Sequence, residues 1–533
     1  MKSIDNIEDC FKKIKNKYYS KYQSNHKKNF GNIKKEFLFE ISKSLNKLHN
    51  KNYSVSEWRL LVGPWLNIAL NIYFYYNFFA KYFSKNFKNK ISSINLNNFY
   101  PPIDHTEFFE IINIKSYQIF FFKKLILNSF NNNIKNKNTF KFNLSLKKFF
   151  YLKIINIISS KNTTFLIRSR FKIKHILLLF LKSHLKILPL SDLTQTFKAT
   201  GVNYNKEKRS EFLNFFNKKN LTIAKFIIDI MPSSYLESFE NYEKIGKKIL
   251  KQPKKIYTDT AHLDDDLTKN LMVNWSFNNN SKILIGQHGG NHRIHDQYVT
   301  NYNDDYETCS KYFVWGKPLK NKEIRLSSVR LYNLKIEKNY QENIKYDLCY
   351  VFEAIRKNQF QGDFKRNDDY LRSLDTKKKF FKKLKKNFIV KSYYEKNRYK
   401  EQLNDKELSN LLNISLNKFK DSKKVIFESN IIILDYISTM IFELISLNIP
   451  FILILDKSNE YLSNFGKEFI KELKKLNLFF NNPSEAAKFV NNLPHGKSWW
   501  FEKKKQEKIL KLRKNFAHVS KYHINDWCKN LKK

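Results

Sequence analysis

Short apolar runs alternate with helical segments over the second half of the chain, and this alternation constrains the fold more than any other feature. The runs YDLCYVF, FIVKSYY and PFILIL have the length and composition of strands, and segments of helical length lie between them. Strands that alternate with helices form parallel sheets with right-handed crossovers. We therefore predict an α/β domain after residue 345, with PFILIL near the centre of its sheet. The run VIFES is also predicted as a strand.

The same alternation occurs earlier in the chain. KIYTDT and ILIG are predicted as strands on either side of a helix, HLDDDLTKNLMVNW. Because 533 residues are too many for one ordinary core, we expect an α/β fold with two Rossmann-like domains that face each other across a cleft. We also expect a helical start, in which Gly63-Pro64 breaks or kinks a helix, and a C-terminal helix that crosses back. The expected boundaries are residues 1–330, 331–500 and 501–533.

The net charge of the chain is strongly positive. Lys and Arg number 98 against 49 Asp and Glu, which gives a formal net charge of +49. Such a balance is typical of proteins that bind nucleic acid or an anionic membrane surface. Arginine, the side chain that reads bases and clamps phosphates, is scarce, so we expect no specific nucleic-acid partner. Peripheral contact with an anionic membrane through Lys-rich amphipathic helices stays open.

Several features favour a cytoplasmic protein. No uninterrupted apolar run approaches the roughly 20 residues that a membrane-spanning helix needs. The N-terminal segment lacks the apolar stretch of a signal peptide. The four cysteines are far apart, which argues against a disulfide framework. We expect the chain to be cytoplasmic. A peripheral position at the inner face of the membrane is the alternative.

The loop that follows ILIG carries the densest group of acid/base-capable side chains. It opens with Gln287-His288-Gly289-Gly290, in which the glycines let the backbone turn sharply and approach a ligand. The Asp304-Asp305 pair follows. Ligands of open α/β sheets bind outside the carboxyl ends of the strands, so we expect this loop in the cleft. A solvated turn is the competing interpretation of the acidic pair.

The histidines of the same loop are compatible with a second interpretation, a metal site. His288, His292 and His295 fall at no standard zinc spacing, and the glycines and the preceding strand argue against a helix that would group them. We therefore expect no metal site.

A second candidate region is ISTMIFELISLNIPFI with the residues before it. Asp435 is placed at a strand end, the Ser438-Thr439 pair at a helix start, and Glu443 one turn further. Free N–H groups and hydroxyls at a helix N-terminus suit a phosphate, and a carboxylate one turn in could bond a ribose. A capping box with Glu443 on the surface is equally compatible with this spacing.

Segments over most of the chain resemble transferases encoded in bacterial O-antigen and surface-polysaccharide gene clusters, which are similar to GT-B-type glycosyltransferases. The matching segments are SEWRLLVGPWL, MPSSYLE, LIGQHGGNH, FVWG and ISTMIFELISLNIPFI. The chain departs from that pattern at Asn303-Asp304-Asp305, where the family has a Glu-His-Glu-like cluster, and at His292-Arg293, where it has Tyr-Gly.

The resemblance implies transfer of a sugar from a nucleotide-activated donor to a surface-polysaccharide or lipid-linked glycan acceptor. It implies that Asp305 or Asp304 is the general base and that His288 orients the acceptor or stabilises charge. The implied substrate-binding residues are Gln287, Gly289, Gly290, Asn291, Arg356, Lys391, Asp435, Ser438, Thr439 and Glu443. Among them, Arg356 and Lys391 would neutralise donor phosphate. A diphosphate leaving group held by a helix N-terminus and cations needs no metal, so we expect neither metal nor cofactor.

Two alternatives come from other functional classes. A sugar-nucleotide epimerase or hydrolase of the same fold would turn over a nucleotide sugar without any acceptor. A Lys-rich protein without enzymatic activity would bind anionic surfaces through one continuous basic face.

Overall fold

The computed structural model describes most of the 533-residue chain. The described residues are 22, 30–92, 100–112, 114–127, 137–193, 197–202, 204–295, 302–336, 344–352, 367–391, 405–415, 422–455, 462–494 and 497–532. Arg356, one of the implied substrate-binding residues, lies outside them.

The fold is a mixed α/β arrangement that contains two parallel sheets and one antiparallel pair. The strands are β1 (Lys137–Leu144), β2 (Thr164–Ile167), β3 (Ile187–Leu190), β4 (Phe197–Val202), β5 (Lys255–Thr258), β6 (Lys282–Gly286), β7 (Lys311–Val314), β8 (Glu323–Arg325), β9 (Tyr346–Val351), β10 (Phe388–Lys391), β11 (Ser429–Leu434), β12 (Phe451–Ile454) and β13 (Phe479–Phe480). Strands β1 and β4 form the antiparallel pair.

The helices, in chain order, are α1 (residues 30–49), α2 (Val55–Ser92), α3 (His105–Ile111), α4 (Lys115–Leu127), α5 (Leu146–Ile158), α6 (Ile173–Lys182), α7 (Lys206–Leu213), α8 (Leu221–Ile230), α9 (Phe239–Ile249), α10 (Ala261–Asp264), α11 (Asp266–Asn279), α12 (Tyr302–Thr308), α13 (Val329–Ile336), α14 (Asn367–Lys383), α15 (Asp405–Leu412), α16 (Ser422–Phe427), α17 (Thr439–Leu447), α18 (Asn464–Lys474), α19 (Pro483–Asn491), α20 (Ser498–Phe501), α21 (Lys503–Phe516) and α22 (His523–Lys532). Short 3-10 turns occur at Ser233–Tyr235 and Gly290–His292. None of the helices in the described part of the chain is long and apolar enough to cross a membrane.

The six-stranded sheet has the strand order β3-β2-β5-β6-β7-β8, and every neighbouring pair is parallel. The predicted strands KIYTDT and ILIG are confirmed as β5 and β6. Strand order reverses between β2 and β5, because the chain steps outward from β2 to β3 and then returns past β2 to β5. In open parallel sheets such a reversal leaves a crevice at the carboxyl ends of the strands, where ligands bind.

The five-stranded sheet has the order β10-β9-β11-β12-β13, also with parallel neighbours. PFILIL contributes β12, which lies beside the central strand β11, so its predicted position near the centre of the sheet is confirmed. The prediction of VIFES as a strand is wrong, because Val425 and Ile426 lie in α16, where both are buried. A short apolar run does not distinguish a buried helix turn from a strand by periodicity alone.

Helix α2 begins with a capping box, in which the Ser54 and Glu57 side chains each accept a hydrogen bond from the other residue's backbone N–H. The helix continues through Pro64, so of the two predicted outcomes at Gly63-Pro64 the break is wrong and the kink stays a prediction. Trp58 and Trp65 are fully buried on either side of the proline. Burial of two such side chains offsets the roughly 3 kcal/mol that a proline costs inside a helix.

The two sheets have separate hydrophobic cores that meet at a few side chains. Trp315 follows β7 of the six-stranded sheet, yet its indole packs edge-on against Phe442 of α17, with ring centroids 6.3 Å apart. The last helix returns to the first sheet, where the Trp527 ring lies 5.1 Å from those of Tyr257 and Phe313. The expected domain boundaries at residues 330 and 500 stay predictions.

Candidate functional site

The carboxyl ends of the six-stranded sheet surround an opening at the point where strand order reverses. Its polar lining comes from Arg170 after β2, Asp259 after β5, Gln287 after β6 and Arg330 at the start of α13. Trp315 and Trp527 are among the apolar side chains beside them. Two guanidinium groups and one carboxylate border the opening, whose volume of about 10 Å³ is that of roughly one water molecule.

Asp259 is the carboxylate of this opening, and it is almost completely buried. The Tyr257 hydroxyl donates to its Oδ1 at 2.6 Å. Burial raises the pKa of Asp259 to about 7, although the Tyr257 hydrogen bond and the Arg170 charge each act to lower it. A carboxyl group with a pKa near neutrality can both accept and return a proton at physiological pH.

Gly286 fits beside this carboxylate only because it has no side chain. A Cβ atom at Gly286 would lie 2.3 Å from both Asp259 Oδ1 and the Tyr257 hydroxyl. The glycine at the end of β6 therefore preserves the pairing of Asp259 with Tyr257.

Gln287 holds the loop after β6 in place. Its Oε1 accepts from the backbone N–H of Trp315 at 3.1 Å, and its Nε2 donates to the carbonyl of Gly289 at 2.9 Å. One guanidinium nitrogen of Arg170 donates to the carbonyl of His288 at 2.7 Å. Gln287 therefore has an observed role in holding the loop. It also lines the opening, and its implied role in substrate binding stays a prediction.

The glycine pair brings the loop against the other half of the chain. The backbone N–H of Gly290 donates to Oγ1 of Thr439 at 3.2 Å, and a Cβ at Gly290 would lie 2.3 Å from the Phe442 ring. A Cβ at Gly289 would lie 2.9 Å from Oδ1 of Asn291 in the same loop. We expected the glycines to let the backbone approach a ligand. In the structure, the atoms that lie close to these glycines are instead protein atoms of α17 and of the loop itself.

At the start of α17, Ser438 is the N-cap, and its hydroxyl accepts from the backbone N–H of Met440 at 3.2 Å. Glu443 is buried, and its carboxylate accepts from Arg330 Nε at 2.5 Å. The interpretation of Glu443 as a surface residue is therefore wrong. The Arg330–Glu443 pair joins the opening in the first sheet to the helix after β11.

Two other implied substrate-binding residues lie in the second half. Asp435 follows β11, but its carboxylate is buried and accepts hydrogen bonds from Lys377 and from the Ser373 hydroxyl. Lys391 is the last residue of β10, and its carbonyl accepts from the backbone N–H of Phe352 at 2.9 Å. Their roles toward a ligand stay predictions.

The histidines of the loop meet the acidic pair of α12. His262 Nε2 lies 2.8 Å from Asp305 Oδ1, and His292 Nδ1 lies 3.8 Å from Asp305 Oδ2. The rings of His288 and His292 are 3.8 Å apart between centroids. Burial lowers the pKa of His292 to about 4, partly opposed by the Asp305 charge, and holds the pKa of His288 well below its usual range. Both imidazoles are therefore neutral at pH 7.

The acidic residues are not a solvated turn. Asp305 is completely buried, and Asp304, also buried, accepts from Lys34 Nζ of α1 at 2.7 Å. His295 lies apart from the cluster and forms a backbone bridge with Leu462. Neither aspartate is among the residues that line the opening, so the identity of the general base stays a prediction.

The sequence interpretation missed Arg170, Asp259 and Arg330. A signal was available for Asp259, because it follows a predicted strand just as Asp435 does. Arginine scarcity was a second signal, since only 12 of the 98 basic residues are arginines. Neither signal could indicate that these three residues meet, because they are separated by up to 160 positions.

Comparison with known proteins supplies the class of activity. No curated protein matches the chain. A family model described as "LIC12162 family transferase" matches residues 16–531, which is nearly the whole sequence. The chain therefore belongs to the LIC12162 family of transferases.

Proposed function

We propose that this transferase is a glycosyltransferase with two Rossmann-like domains facing a cleft, which moves a sugar from a nucleotide-activated donor to a surface-polysaccharide or lipid-linked glycan. The observation that carries the proposal is the hydrogen bond between Gly290 and Thr439. It joins the loop at the end of β6 to the N-terminus of α17, so that residues after strands of both sheets border one region. A group-transfer enzyme needs such an arrangement, because two substrates must be held with their reacting atoms adjacent.

Donor binding is assigned to the side formed by α17 and the two arginines. Arg330 is about half exposed, with a side-chain exposure of 49%, so part of its guanidinium can contact a ligand while Glu443 fixes its position. Arg170 is exposed at the other side of the opening. Guanidinium groups and a helix N-terminus both stabilise the negative charge that develops on a departing diphosphate.

Proton transfer is assigned to Asp259. Its pKa of about 7 and its position in the opening suit a base that accepts the proton of an acceptor hydroxyl. Asp305 is the competing candidate, because the family resemblance implies it and because it contacts His262. The two assignments make different predictions for the variants Asp259→Asn and Asp305→Asn.

An apolar surface supports the lipid-linked kind of acceptor. More than half of the large apolar side chains that are exposed among the described residues lie between residues 146 and 185, in α5, α6 and the turn after α6. In α6, Ile173, Leu177 and Leu181 are 87%, 55% and 57% exposed. Exposed Lys174 and Lys182 belong to the same helix. Apolar side chains interspersed with lysines fit the interface of an anionic bilayer.

This apolar surface is close in sequence to the opening at the carboxyl ends of the first sheet. Helix α6 begins three residues after Arg170, at the carboxyl end of β2. A bilayer in contact with α6 would therefore present the head of a lipid-linked acceptor close to the Arg170 side of the opening.

Turnover of nucleotide sugars tests the proposal. The purified chain is incubated with a panel of nucleotide sugars, with and without lipid-linked or polysaccharide acceptors, and both nucleotide release and the configuration of the recovered nucleotide sugar are measured. We expect release that depends on an acceptor. Turnover without an acceptor would instead identify an epimerase or hydrolase, and transfer of a group other than a sugar would overturn the proposal.

The variants Asp259→Asn and Asp305→Asn then assign the base. We expect Asp259→Asn to lower kcat about 100-fold or more with little change in donor affinity, and Asp305→Asn to have a smaller effect on kcat. The opposite ranking would return the role to Asp305. Circular dichroism of both variants controls for loss of folding.

A further inference from the structure

We propose that His288, His292 and Asp305 form a binding site for a divalent transition-metal ion. Each residue offers one ligand atom, and the three atoms lie within 4.8 Å of one another. With metal–nitrogen bonds of about 2.0 Å, ligand atoms around one ion lie roughly 3.3 Å apart, so the three atoms would have to approach one another by at most about 1.5 Å. The proposal concerns binding and does not depend on which group the enzyme transfers.

The Asp305 carboxylate is the first reason for this inference. Asp305 is completely buried, and its Oδ2 has no hydrogen-bond partner in the described part of the chain. No lysine or arginine among the described residues is within ion-pair distance of it, whereas its neighbour Asp304 pairs with Lys34. A buried carboxylate with one unpaired oxygen is costly, and a bound cation would offset that cost.

A ring nitrogen of His288 is the second reason. A metal ion binds histidine through the lone pair of a ring nitrogen. Nδ1 of His288 is buried and lacks a hydrogen-bond partner among the described residues, so it can serve as a ligand.

His262 supplies the second layer of such a site. Its Nε2 bonds Asp305 Oδ1 at 2.8 Å, which fixes the carboxylate and leaves Oδ2 at 3.8 Å from Nδ1 of His292. Ligating carboxylates in metalloproteins are held by outer hydrogen bonds of this kind.

The donor set indicates which ions fit. Two imidazole nitrogens and one carboxylate oxygen suit zinc, cobalt or iron(II), whereas magnesium and calcium require oxygen ligands. Three protein ligands leave at least one coordination position for water or a substrate oxygen. His288 is only half-buried, so solvent can reach the cluster from its side.

Calorimetry with zinc chloride on chelator-treated, tag-free full-length protein tests the site. We expect one ion per chain, and a loss of affinity of 100-fold or more in His288→Gln and in His292→Asn. The matched control is His295→Gln, three residues beyond His292 and outside the cluster, which should bind as tightly as the wild type. In His262→Gln, affinity should fall about 10–100-fold, because only the outer hydrogen bond is lost.

Absorption spectroscopy with cobalt(II) tests metal binding independently of enzymatic activity. Binding at this site should produce visible absorption bands that vanish in His292→Asn and persist in His295→Gln. Circular dichroism before metal addition shows whether each variant is folded. His288 is only half-buried, so His288→Gln changes the cluster without replacing a fully buried side chain. Absence of stoichiometric binding to folded wild-type protein, or equal binding by His288→Gln and wild type, would overturn the proposal.

Discussion

The backbone N–H of Gly290 lies 3.2 Å from Oγ1 of Thr439, although 149 positions separate the two residues in the chain. The space between them is so small that a Cβ at Gly290 would be 3.0 Å from the Thr439 Cα and 2.3 Å from the Phe442 ring. The loop after β6 and the helix after β11 are therefore fitted to each other at a position that only glycine can occupy.

Gly290→Ala should destabilise the protein, because Phe442 is itself buried and has little room to move. We expect a loss of about 1–3 kcal/mol in the free energy of unfolding, measured with urea, and at least a tenfold loss of turnover. Gly31→Ala is the control, since a Cβ there has no neighbour within 4 Å and the change should stabilise its helix by up to about 1 kcal/mol. Equal stability of the two variants would show that the loop can withdraw from α17.

The variant Thr439→Val separates the effect of the Thr439 hydroxyl group from the effect of its side-chain shape, because valine has nearly the same shape and no hydroxyl. The substitution removes the acceptor for Gly290, so we expect nucleotide affinity to fall in calorimetry while the fold persists. Ser438→Ala should instead cost about 1 kcal/mol of stability, because Ser438 caps α17. If the double variant with Ala at both positions binds nucleotide like the wild type, the pair serves only to cap and dock the helix.

Asp259 should make stability depend on pH. Its pKa is about 7 in the folded protein and near 4 in the unfolded chain, so the folded state holds a proton that the unfolded state has lost between these pH values. Stability therefore falls as pH rises from 4 to 7, by at most about 4 kcal/mol from this group, and changes no further above 7.

The comparison with Asp259→Asn isolates that effect, because asparagine does not titrate. We expect the variant to gain stability relative to the wild type progressively between pH 4 and pH 7, as measured by denaturant unfolding across that range. The charged and titratable neighbours Arg170 and Tyr257 are present in both proteins. A difference that is constant with pH would mean that Asp259 is ionised throughout.

Leu177→Asn with Leu181→Asn should weaken binding to vesicles that contain anionic phospholipid. Both side chains are more than half exposed on α6, so the change should leave folding intact and lower the bound fraction in sedimentation several-fold. Leu510→Asn is the matched control, because Leu510 is equally exposed but lies in α21. Binding that is unaffected by the α6 variant would exclude this helix as the contact, and binding insensitive to salt would exclude a contribution from its lysines.

Local pattern was sufficient to predict the strands that position the site. KIYTDT and ILIG, together with the alternation after residue 345, predict parallel strands because periodicity and strand length depend only on neighbouring residues. The same reasoning identified the Gln287–Gly290 loop and the start of α17 as regions of interest. It failed for VIFES and for a helix break at Gly63-Pro64, where burial against distant residues outweighs the local preference.

Tertiary structure alone decided which side chains meet. Strand order places β2 beside β5, and only this order brings Arg170 to Asp259, whose pKa then rises because the sheet and its helices bury it. The turn at Gly290–His292 returns His292 to His288, and α12 brings Asp305 to both, whereas histidine spacing in the sequence indicated no cluster. Such proximities depend on the packing of elements that are far apart in the chain, and sequence patterns record only the preferences of each element.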